Sequence, residues 1–173
     1  CTGTSAANGD NGVGVSGVGW NLGHRMMRVT DNTNGGASIF SLTDAARTAA
    51  DVGDKVASVS YSGVTSSTVN TTGTYVRSRG ALLVWAAGND SNTLNGNRDD
   101  DVIIVAATTS SDSLAGFSNR GSLVDLSAPG AGIRTTSRNS NSSYSNVSGT
   151  SFACPMTAGL CALIWSRNPA LSP

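Results

Sequence analysis

The chain is organised around the stretch Val147-Ser148-Gly149-Thr150-Ser151-Phe152-Ala153-Cys154-Pro155. A small, flexible Gly-Thr step leads into a serine, and the serine opens an apolar run over residues 152–165. This run predicts a helix that is buried on nearly every face and stops before Pro169, because a proline disfavours helical structure in the residue before it. Pro155 is expected in the first turn, where its missing N–H costs little. Ser151 is therefore predicted at the N-terminus of a buried helix.

Ser151 has two interpretations. Free N–H groups and the positive end of the helix dipole gather at a helix N-terminus, which is a good place to stabilise negative charge on an attacked carbonyl oxygen. An isolated serine there is more often a simple N-cap residue. However, Gly-Thr-Ser-Phe-Ala-Cys-Pro-Met-Thr-Ala-Gly over residues 149–159 resembles the nucleophile motif of the subtilisin-like serine proteases, except at Phe152, where methionine is usual. The resemblance implies that Ser151 is the nucleophile of a serine endopeptidase acting on polypeptide substrates.

The composition narrows the class of protein. A chain of 173 residues can form one domain with a real core. The formal net charge is zero and only 13% of residues are charged, so nothing indicates a nucleic-acid partner. No apolar run is long enough to indicate a membrane span. Lys55 is the only lysine, glutamate is absent, and Gly, Ser, Thr and Asn are abundant; together with the resemblance, this predicts a secreted protein.

Alternating apolar segments and helical patterns predict an α/β fold with a mainly parallel sheet. The resemblance makes it a three-layer, subtilisin-like fold that extends over residues 1–173. Strands are expected at residues 26–30, 56–60, 81–87, 102–107 and 123–126, with a hairpin within residues 133–147. Further helices are expected at residues 42–52, with Thr43 as the N-cap, and at residues 70–79. Residues 127–130, Ser-Ala-Pro-Gly, match a turn of the family.

Asn89 follows the apolar run of residues 81–87, which reads as a strand buried on both faces. Ligands of open parallel sheets bind beyond the carboxyl ends of the strands, so Asn89 is either a turn residue or a donor in a site. Ala86-Ala87-Gly88-Asn89 resembles the oxyanion segment of the family. The resemblance implies that the Asn89 amide is a catalytic donor to the oxyanion and that Ala87 and Gly88 bind substrate.

Ser60-Tyr61-Ser62-Gly63 lies where the family has a segment that pairs with the substrate backbone and forms one wall of the primary specificity pocket. From the residues alone, this stretch is an ordinary exit from a strand into a loop. The resemblance implies that all four residues bind substrate, although Tyr61 and Ser62 stand where the family has leucine and glycine.

The glycine-rich N-terminal segment is either a flexible surface loop or, by the resemblance, the end of the catalytic-histidine motif followed by a helix and a calcium-binding loop. The resemblance implies a structural Ca²⁺ held by Asn11 and by the carbonyl oxygens of Val13 and Val15. Oxygen ligands of this kind suit Ca²⁺.

The catalytic base is the missing part of this interpretation. A serine hydroxyl needs a base to remove its proton, and the family uses a histidine oriented by an aspartate. The resemblance implies that both lie before Cys1 in a longer precursor, which also has a propeptide. Ser172 and Pro173 form a helix start signal, so the chain is also expected to continue beyond Pro173. His24 lies far from the family's position for the catalytic histidine, and with no second histidine or cysteine beside it, it does not indicate a zinc site.

Two further interpretations remain open at this stage. One is a subtilase-derived domain that has lost catalysis, and the other is a secreted binding domain rich in Ser, Thr and Gly. Regular repeats would favour the binding domain, and none is found. Cys154 and Cys161 are seven residues apart on the predicted helix, about 10 Å, which is too far for a disulfide.

Overall fold

The computed structural model describes residues 1–96 and 101–173 and contains helices, a larger sheet and a hairpin. The helices are α1 (Thr2–Ala6), α2 (Ile39–Asp51), α3 (Ser67–Ser78) and α4 (Thr150–Arg167). The strands are β1 (Val56–Val59), β2 (Leu82–Ala86), β3 (Val102–Thr108), β4 (Leu126–Pro129), β5 (Ile133–Thr136) and β6 (Tyr144–Val147).

The larger sheet has the order β1-β2-β3-β4, and all of its strands run parallel. Val59 at the end of β1 lies beside Trp85 of β2, and Ala86 at the end of β2 lies beside Val105 of β3. The carboxyl ends of β1 and β2 therefore meet at one edge of the sheet. The predicted α/β fold with a mainly parallel sheet is confirmed, and it places any site at this edge.

The apolar runs of β2 and β3 supply side chains to both faces of the sheet, because successive side chains of a strand point to opposite faces. Leu83, Trp85 and Ile104 pack on one side with helices α2 and α3. Val84 and Val105 pack on the other side against helix α4. The layers are thus α2 with α3, then the sheet, then α4, which explains why β2 reads as a continuous apolar run.

Helix α4 crosses beneath all four strands of the parallel sheet, and its Gly159 lies against helix α1. A Cβ atom at Gly159 would lie 2.9 Å from the carbonyl oxygen of Ser5, so only glycine permits this approach. The expectation that α4 is buried on nearly every face is wrong for its second half: Leu160, Leu163 and Ile164 are 49%, 44% and 50% exposed. Pro155 lies in the second turn, not the first, because α4 begins at Thr150.

The strand predicted at residues 26–30 does not form, and Met26 is 73% exposed. Alternation along this segment predicts which side chains share a face, but a strand exists only when its N–H and C=O groups find a partner strand. In the described chain, β1 pairs only with β2, and no strand pairs with residues 26–30.

Two other predicted elements shift along the chain. Helix α2 begins three residues early because Ser38, not Thr43, is its N-cap: Ser38 Oγ accepts from the N–H of Ser41 at 3.1 Å. Strand β4 begins at Leu126 rather than Leu123, because the N–H of Leu123 donates to the carbonyl of Leu94 outside the sheet. The Ser-Ala-Pro-Gly segment therefore lies mostly in β4, whose proline is tolerated at the edge of the sheet.

The hairpin predicted within residues 133–147 is confirmed as β5 and β6, which pair antiparallel with Ile133 beside Val147. It leads directly into the N-terminus of α4. The predicted helix at residues 70–79 is confirmed as α3, although it starts earlier, at Ser67. Within the described residues, no helix combines the length and the apolar character needed to cross a membrane.

Candidate active site

A cavity of about 260 Å³ opens at the carboxyl ends of β1 and β2, beside the N-terminus of α4. Its lining consists of Ser60, Tyr61, Ser62, Ala86, Gly88, Asn89, Asp90, Thr150 and Ser151. Three separate segments of the sequence thus converge on one space. Of the residues expected to react with or bind substrate, Gly63 and Ala87 are not part of the lining. Ala86, Asp90 and Thr150, to which the sequence analysis gave no role of their own, are part of it.

Ser151 faces the segment after β1 through a reciprocal pair of hydrogen bonds. Ser151 Oγ donates to the carbonyl of Ser60 at 3.3 Å, and Ser60 Oγ donates to the carbonyl of Ser151 at 2.9 Å. The carbonyl of Ser151 is available because residue 155, which would normally bond to it in a helix, is a proline without an N–H. Pro155 therefore frees the group through which Ser60 holds the start of α4.

The start of α4 also depends on Gly149, whose φ of 153° is a backbone conformation that side chains disfavour. The N–H of Gly149 donates to the carbonyl of Gly130 at 2.8 Å. The next two N–H groups, those of Thr150 and Ser151, belong to residues that line the cavity. The N–H of Thr150 donates to Asn89 Oδ1, whereas the N–H of Ser151 has no acceptor in the described part of the chain.

Asn89 is held in one orientation by Thr150. Its Oδ1 accepts from the N–H of Thr150 at 2.8 Å and from Thr150 Oγ1 at 2.9 Å. Thr150 Oγ1 in turn accepts from the N–H of Gly88 at 3.1 Å. Because Oδ1 is occupied by two donors, the Nδ2 group is left as the free end of the amide, and no described residue accepts from it. Asn89 Nδ2 and the Ser151 N–H are thus two donors without an acceptor among the described residues, and both belong to residues that line the same cavity as the Ser151 hydroxyl.

The wall formed by the segment after β1 is tied to the core. Tyr61 donates its hydroxyl to the carbonyl of Gly35 at 2.9 Å, and its own carbonyl accepts from the indole N–H of Trp85 at 2.8 Å. This fixes the backbone of residues 60–61 at the mouth of the cavity. Ser62, which also lines the cavity, and Gly63 are exposed.

Among the described residues that line the cavity, only Asp90 carries a formal charge. Cys154, one turn along α4 from Ser151, lies below the site and is fully buried. Burial is the main reason that the pKa of the Cys154 thiol rises to about 11, against hydrogen bonds with Ser58, Ser60 and Val59 that lower it. The thiol is therefore neutral near pH 7, and Cys154 is a packing residue rather than a second nucleophile.

No histidine lines the cavity in the described part of the chain. His24 is exposed and lies outside the lining. Cys1, by contrast, lies next to the nucleophile candidate: its Sγ is 3.3 Å from the carbonyl oxygen of Ser151. The three cysteines are not paired with one another.

The candidate calcium loop is compact. Asn11 Oδ1 accepts from the N–H of Val13 at 3.0 Å, and Asp10, Gly12 and Gly14 have φ values of 53°, 69° and 67°. The carbonyl oxygens of Val13 and Val15 accept no hydrogen bond from the described residues. These oxygens fit the preference of Ca²⁺ for neutral and charged oxygen ligands. No group of three or more His, Cys, Asp or Glu side chains suited to a metal occurs among residues 1–96 and 101–173.

The solved structure of sphericase superimposes on 99% of the chain with a TM-score of 0.84 and 29% identity, and the chain covers 63% of it. Proteases from Pseudoalteromonas arctica PAMC 21717 give a TM-score of 0.87 with 31% identity over 99% of the chain and 58% of that structure.

Sequence comparison also finds proteases. The chain is 35% identical to thermitase of Thermoactinomyces vulgaris over 99% of its own length and 62% of thermitase. It is 36% identical to a thermophilic serine proteinase of Bacillus sp. (strain AK1) over 96% of its length and 41% of that protein. The chain thus spans less than two thirds of these relatives. A model of the subtilase family matches residues 1–173, and the chain belongs to the subtilase family.

Proposed function

We propose that the protein containing this chain is a secreted serine endopeptidase in which Ser151 is the nucleophile and Asn89 an oxyanion donor. The observation that carries the proposal is the pair of hydrogen bonds from Thr150 to Asn89 Oδ1, at 2.8 and 2.9 Å. They occupy Asn89 Oδ1 and so leave the amide nitrogen as a free donor, in a cavity that Ser151 also lines. Membership of the subtilase family supports the same chemistry.

In the proposed reaction, Ser151 Oγ attacks the carbonyl carbon of a peptide bond and its proton passes to a base. The carbonyl oxygen becomes negatively charged and accepts hydrogen bonds from Asn89 Nδ2 and from the N–H of Ser151. Collapse of this intermediate expels the amine, which takes the proton from the base, and leaves an acyl ester on Ser151. Water then hydrolyses the ester by the reverse sequence of proton transfers.

The substrate lies against the segment after β1 in this proposal. The carbonyl of Ser60 already accepts a hydrogen bond from Ser151 Oγ and is well placed to accept one from the N–H of an extended peptide. The side chain on the acyl side of the scissile bond then enters the cavity of about 260 Å³ between the segments after β1 and β2.

The proposed base is a histidine that precedes Cys1, oriented by an aspartate further upstream. The contact between Cys1 Sγ and the carbonyl of Ser151 supports this, because a residue shortly before Cys1 lies within reach of the nucleophile. We further propose a propeptide in the precursor and a structural Ca²⁺ held by Asn11 and the carbonyls of Val13 and Val15. When bound, the ion would restrain the loop that follows α1.

The test compares peptide hydrolysis by residues 1–173, by the full-length protein, and by the Ser151→Ala version of each. We expect the full-length protein to be active in a Ser151-dependent manner and the isolated residues 1–173 to match their Ser151→Ala control. Strong Ser151-dependent turnover by residues 1–173 alone would contradict the upstream base and make His24 the first suspect. An inactive full-length protein would favour a subtilase-derived domain without catalysis.

A further inference from the structure

The loop after β3 contains a buried carboxamide that the proposed chemistry does not use. Asn119 is 4% exposed, and its side chain faces the loop that carries Asn89. Its Nδ2 donates to the carbonyl of Ala87 at 2.9 Å. Its Oδ1 accepts from the N–H groups of Asp90 at 3.1 Å and Asn92 at 2.8 Å. One side chain therefore binds the backbone on both sides of Asn89.

The backbone of Asn119 adds a fourth bond, from its N–H to the carbonyl of Gly88 at 3.0 Å. Gly88 has a φ of 103°, and a Cβ atom there would lie 2.5 Å from Asn119 Nδ2. The chain thus wraps so closely around the carboxamide that a side chain at residue 88 has no room. The orientation of the carboxamide follows from its partners, since two N–H groups need the oxygen and one carbonyl needs the amide nitrogen.

Asn119 itself is anchored to the sheet through Ser118. Ser118 Oγ accepts from the N–H of Ala107 in β3 at 2.9 Å and donates to the carbonyl of Asn119 at 3.0 Å. Hydrogen bonds therefore connect β3 to residues 118–119 and these residues to the loop around Asn89, so the sheet fixes where that loop lies.

We propose that Asn119 is a positioning residue for the oxyanion donor Asn89, an inference that rests on the proposed function. Asn89 lies on an exposed loop, yet its amide must meet the developing oxyanion within hydrogen-bond distance. Thr150 sets the rotation of the amide, whereas Asn119 sets the path of the backbone from Ala87 to Asn92. Losing the second restraint lets the loop relax and misplaces the donor without removing it.

The kinetic test uses the full-length protein with Asn119→Ala, Asn89→Ala and the double variant. Asn119→Ala is expected to lower kcat at least about tenfold while KM changes less than about twofold, because the oxyanion exists only in the transition state. In the Asn89→Ala background, the same substitution should change kcat less than about twofold, since the donor it positions is gone. An equal loss of kcat in both backgrounds would overturn the proposal.

Thr72→Val is the matched control for general destabilisation. Thr72 is also a buried polar residue, and its Oγ1 accepts from Arg47 between helices α3 and α2, away from the cavity. It should lower the melting temperature with kcat nearly unchanged. If Thr72→Val lowers kcat as much as Asn119→Ala, the effect is one of stability and the proposal fails.

Asn119→Asp decides the question if Asn119→Ala does not fold. The introduced carboxylate still accepts from the N–H groups of Asp90 and Asn92, but its second oxygen faces the carbonyl oxygen of Ala87 and repels it. Protonation of the carboxylate supplies an O–H that can donate to this carbonyl. We expect the ratio of its kcat to that of the unchanged protein to rise as the pH falls. A ratio independent of pH would contradict the role of the Ala87 contact.

Amide hydrogen exchange separates this inference from the proposed function. Asn119→Ala should speed exchange of the Asp90 and Asn92 amides at least about tenfold, whereas Thr72→Val should not, because only the first variant removes their acceptor. If the full-length protein shows no Ser151-dependent activity, the proposed function fails, and faster exchange still shows that Asn119 positions the loop. Unchanged exchange would overturn the positioning itself.

Discussion

Replacing Thr150 with valine isolates the hydroxyl that orients the candidate oxyanion donor. Thr150 is fully buried, and valine has nearly the same shape, so the substitution removes two hydrogen bonds and little packing. The Oγ1 atom no longer accepts from the N–H of Gly88 and no longer donates to Asn89 Oδ1, which were 3.1 and 2.9 Å away. Only the N–H of Thr150 still holds the amide of Asn89.

Both stability and turnover should fall, by amounts that follow from these contacts. The N–H of Gly88 is buried and loses its acceptor, which costs about 2 kcal/mol. For a chain of this size, that corresponds to a decrease of about 4–8 °C in melting temperature. Complete loss of the corresponding donor in subtilisin itself lowers kcat about 10²–10³-fold; this value is adopted from that enzyme. Because one anchor of Asn89 remains, we expect about a tenfold decrease for Thr150→Val.

The assay measures kcat and KM of the full-length protein for a short peptide amide, together with its thermal unfolding. Thr150→Ser keeps the hydroxyl and serves as the control; its kcat should stay within about threefold of the unchanged protein, since both hydrogen bonds can form. A Thr150→Val protein with unchanged kcat would refute the argument that this hydroxyl orients Asn89. An equal loss of kcat in Thr150→Ser would refute it as well.

Three further predictions concern the calcium loop, the buried thiol and the cavity. Chelation should lower the melting temperature of the full-length protein, and Asn11→Ala should abolish that effect, because a ligand bound only to the folded state stabilises it. Burial raises the pKa of Cys154 from 9.0 to about 11, so the folded thiol keeps its proton longer than the unfolded one. The free energy of unfolding should therefore fall between about pH 9 and pH 11, by roughly 2–3 kcal/mol, and Cys154→Ala should remove that part of the decrease. Asp90→Asn should lower the preference for Arg or Lys over Phe next to the scissile bond, by about fivefold at most, because the carboxylate is exposed to solvent.

Each of these has a contradicting result. The proposed calcium site is contradicted if a chelator leaves the melting temperature of the full-length protein unchanged. For Cys154, the measurement is denaturant unfolding at a series of pH values. If the free energy of unfolding falls as steeply with pH in Cys154→Ala, the thiol is not the cause of the decrease. For Asp90, an unchanged ratio of kcat/KM between basic and aromatic peptides would show that its charge does not reach the cavity.

The sequence could predict the sheet but not all of its pairing. The run at residues 81–87 implied a strand buried on both faces, and the structure shows Leu83 and Val84 packing on opposite sides. Residues 26–30 were also predicted as a strand, and they form none. The difference is the partner: β2 lies between β1 and β3, whereas no strand in the described part of the chain pairs with residues 26–30. Local alternation contains no information about such long-range pairing.

The candidate site, too, depends on long-range contacts that local sequence patterns do not reveal. A helix start and a strand end mark the positions of Ser151 and Asn89 in the sequence, but only the resemblance to the family made them candidate site residues. The structure brings both to one cavity. Asn119 could not be found in this way. It lies in a loop, where an asparagine is ordinarily a turn residue, and only the fold reveals that its carboxamide binds the backbone around Asn89. Thr150 was visible as part of the motif, but its two hydrogen bonds depend on a loop about 60 residues away.

The role of Ser151 as the nucleophile is tested most directly by labelling the full-length protein with a serine-directed peptidyl phosphonate and locating the adduct by mass spectrometry. We expect one adduct per chain, on Ser151, that is absent in Ser151→Ala and forms more slowly in Asn89→Ala, since the tetrahedral phosphonyl oxygen uses the same donors as the oxyanion. No adduct, or an adduct that persists in Ser151→Ala, would contradict the claim that Ser151 is the nucleophile.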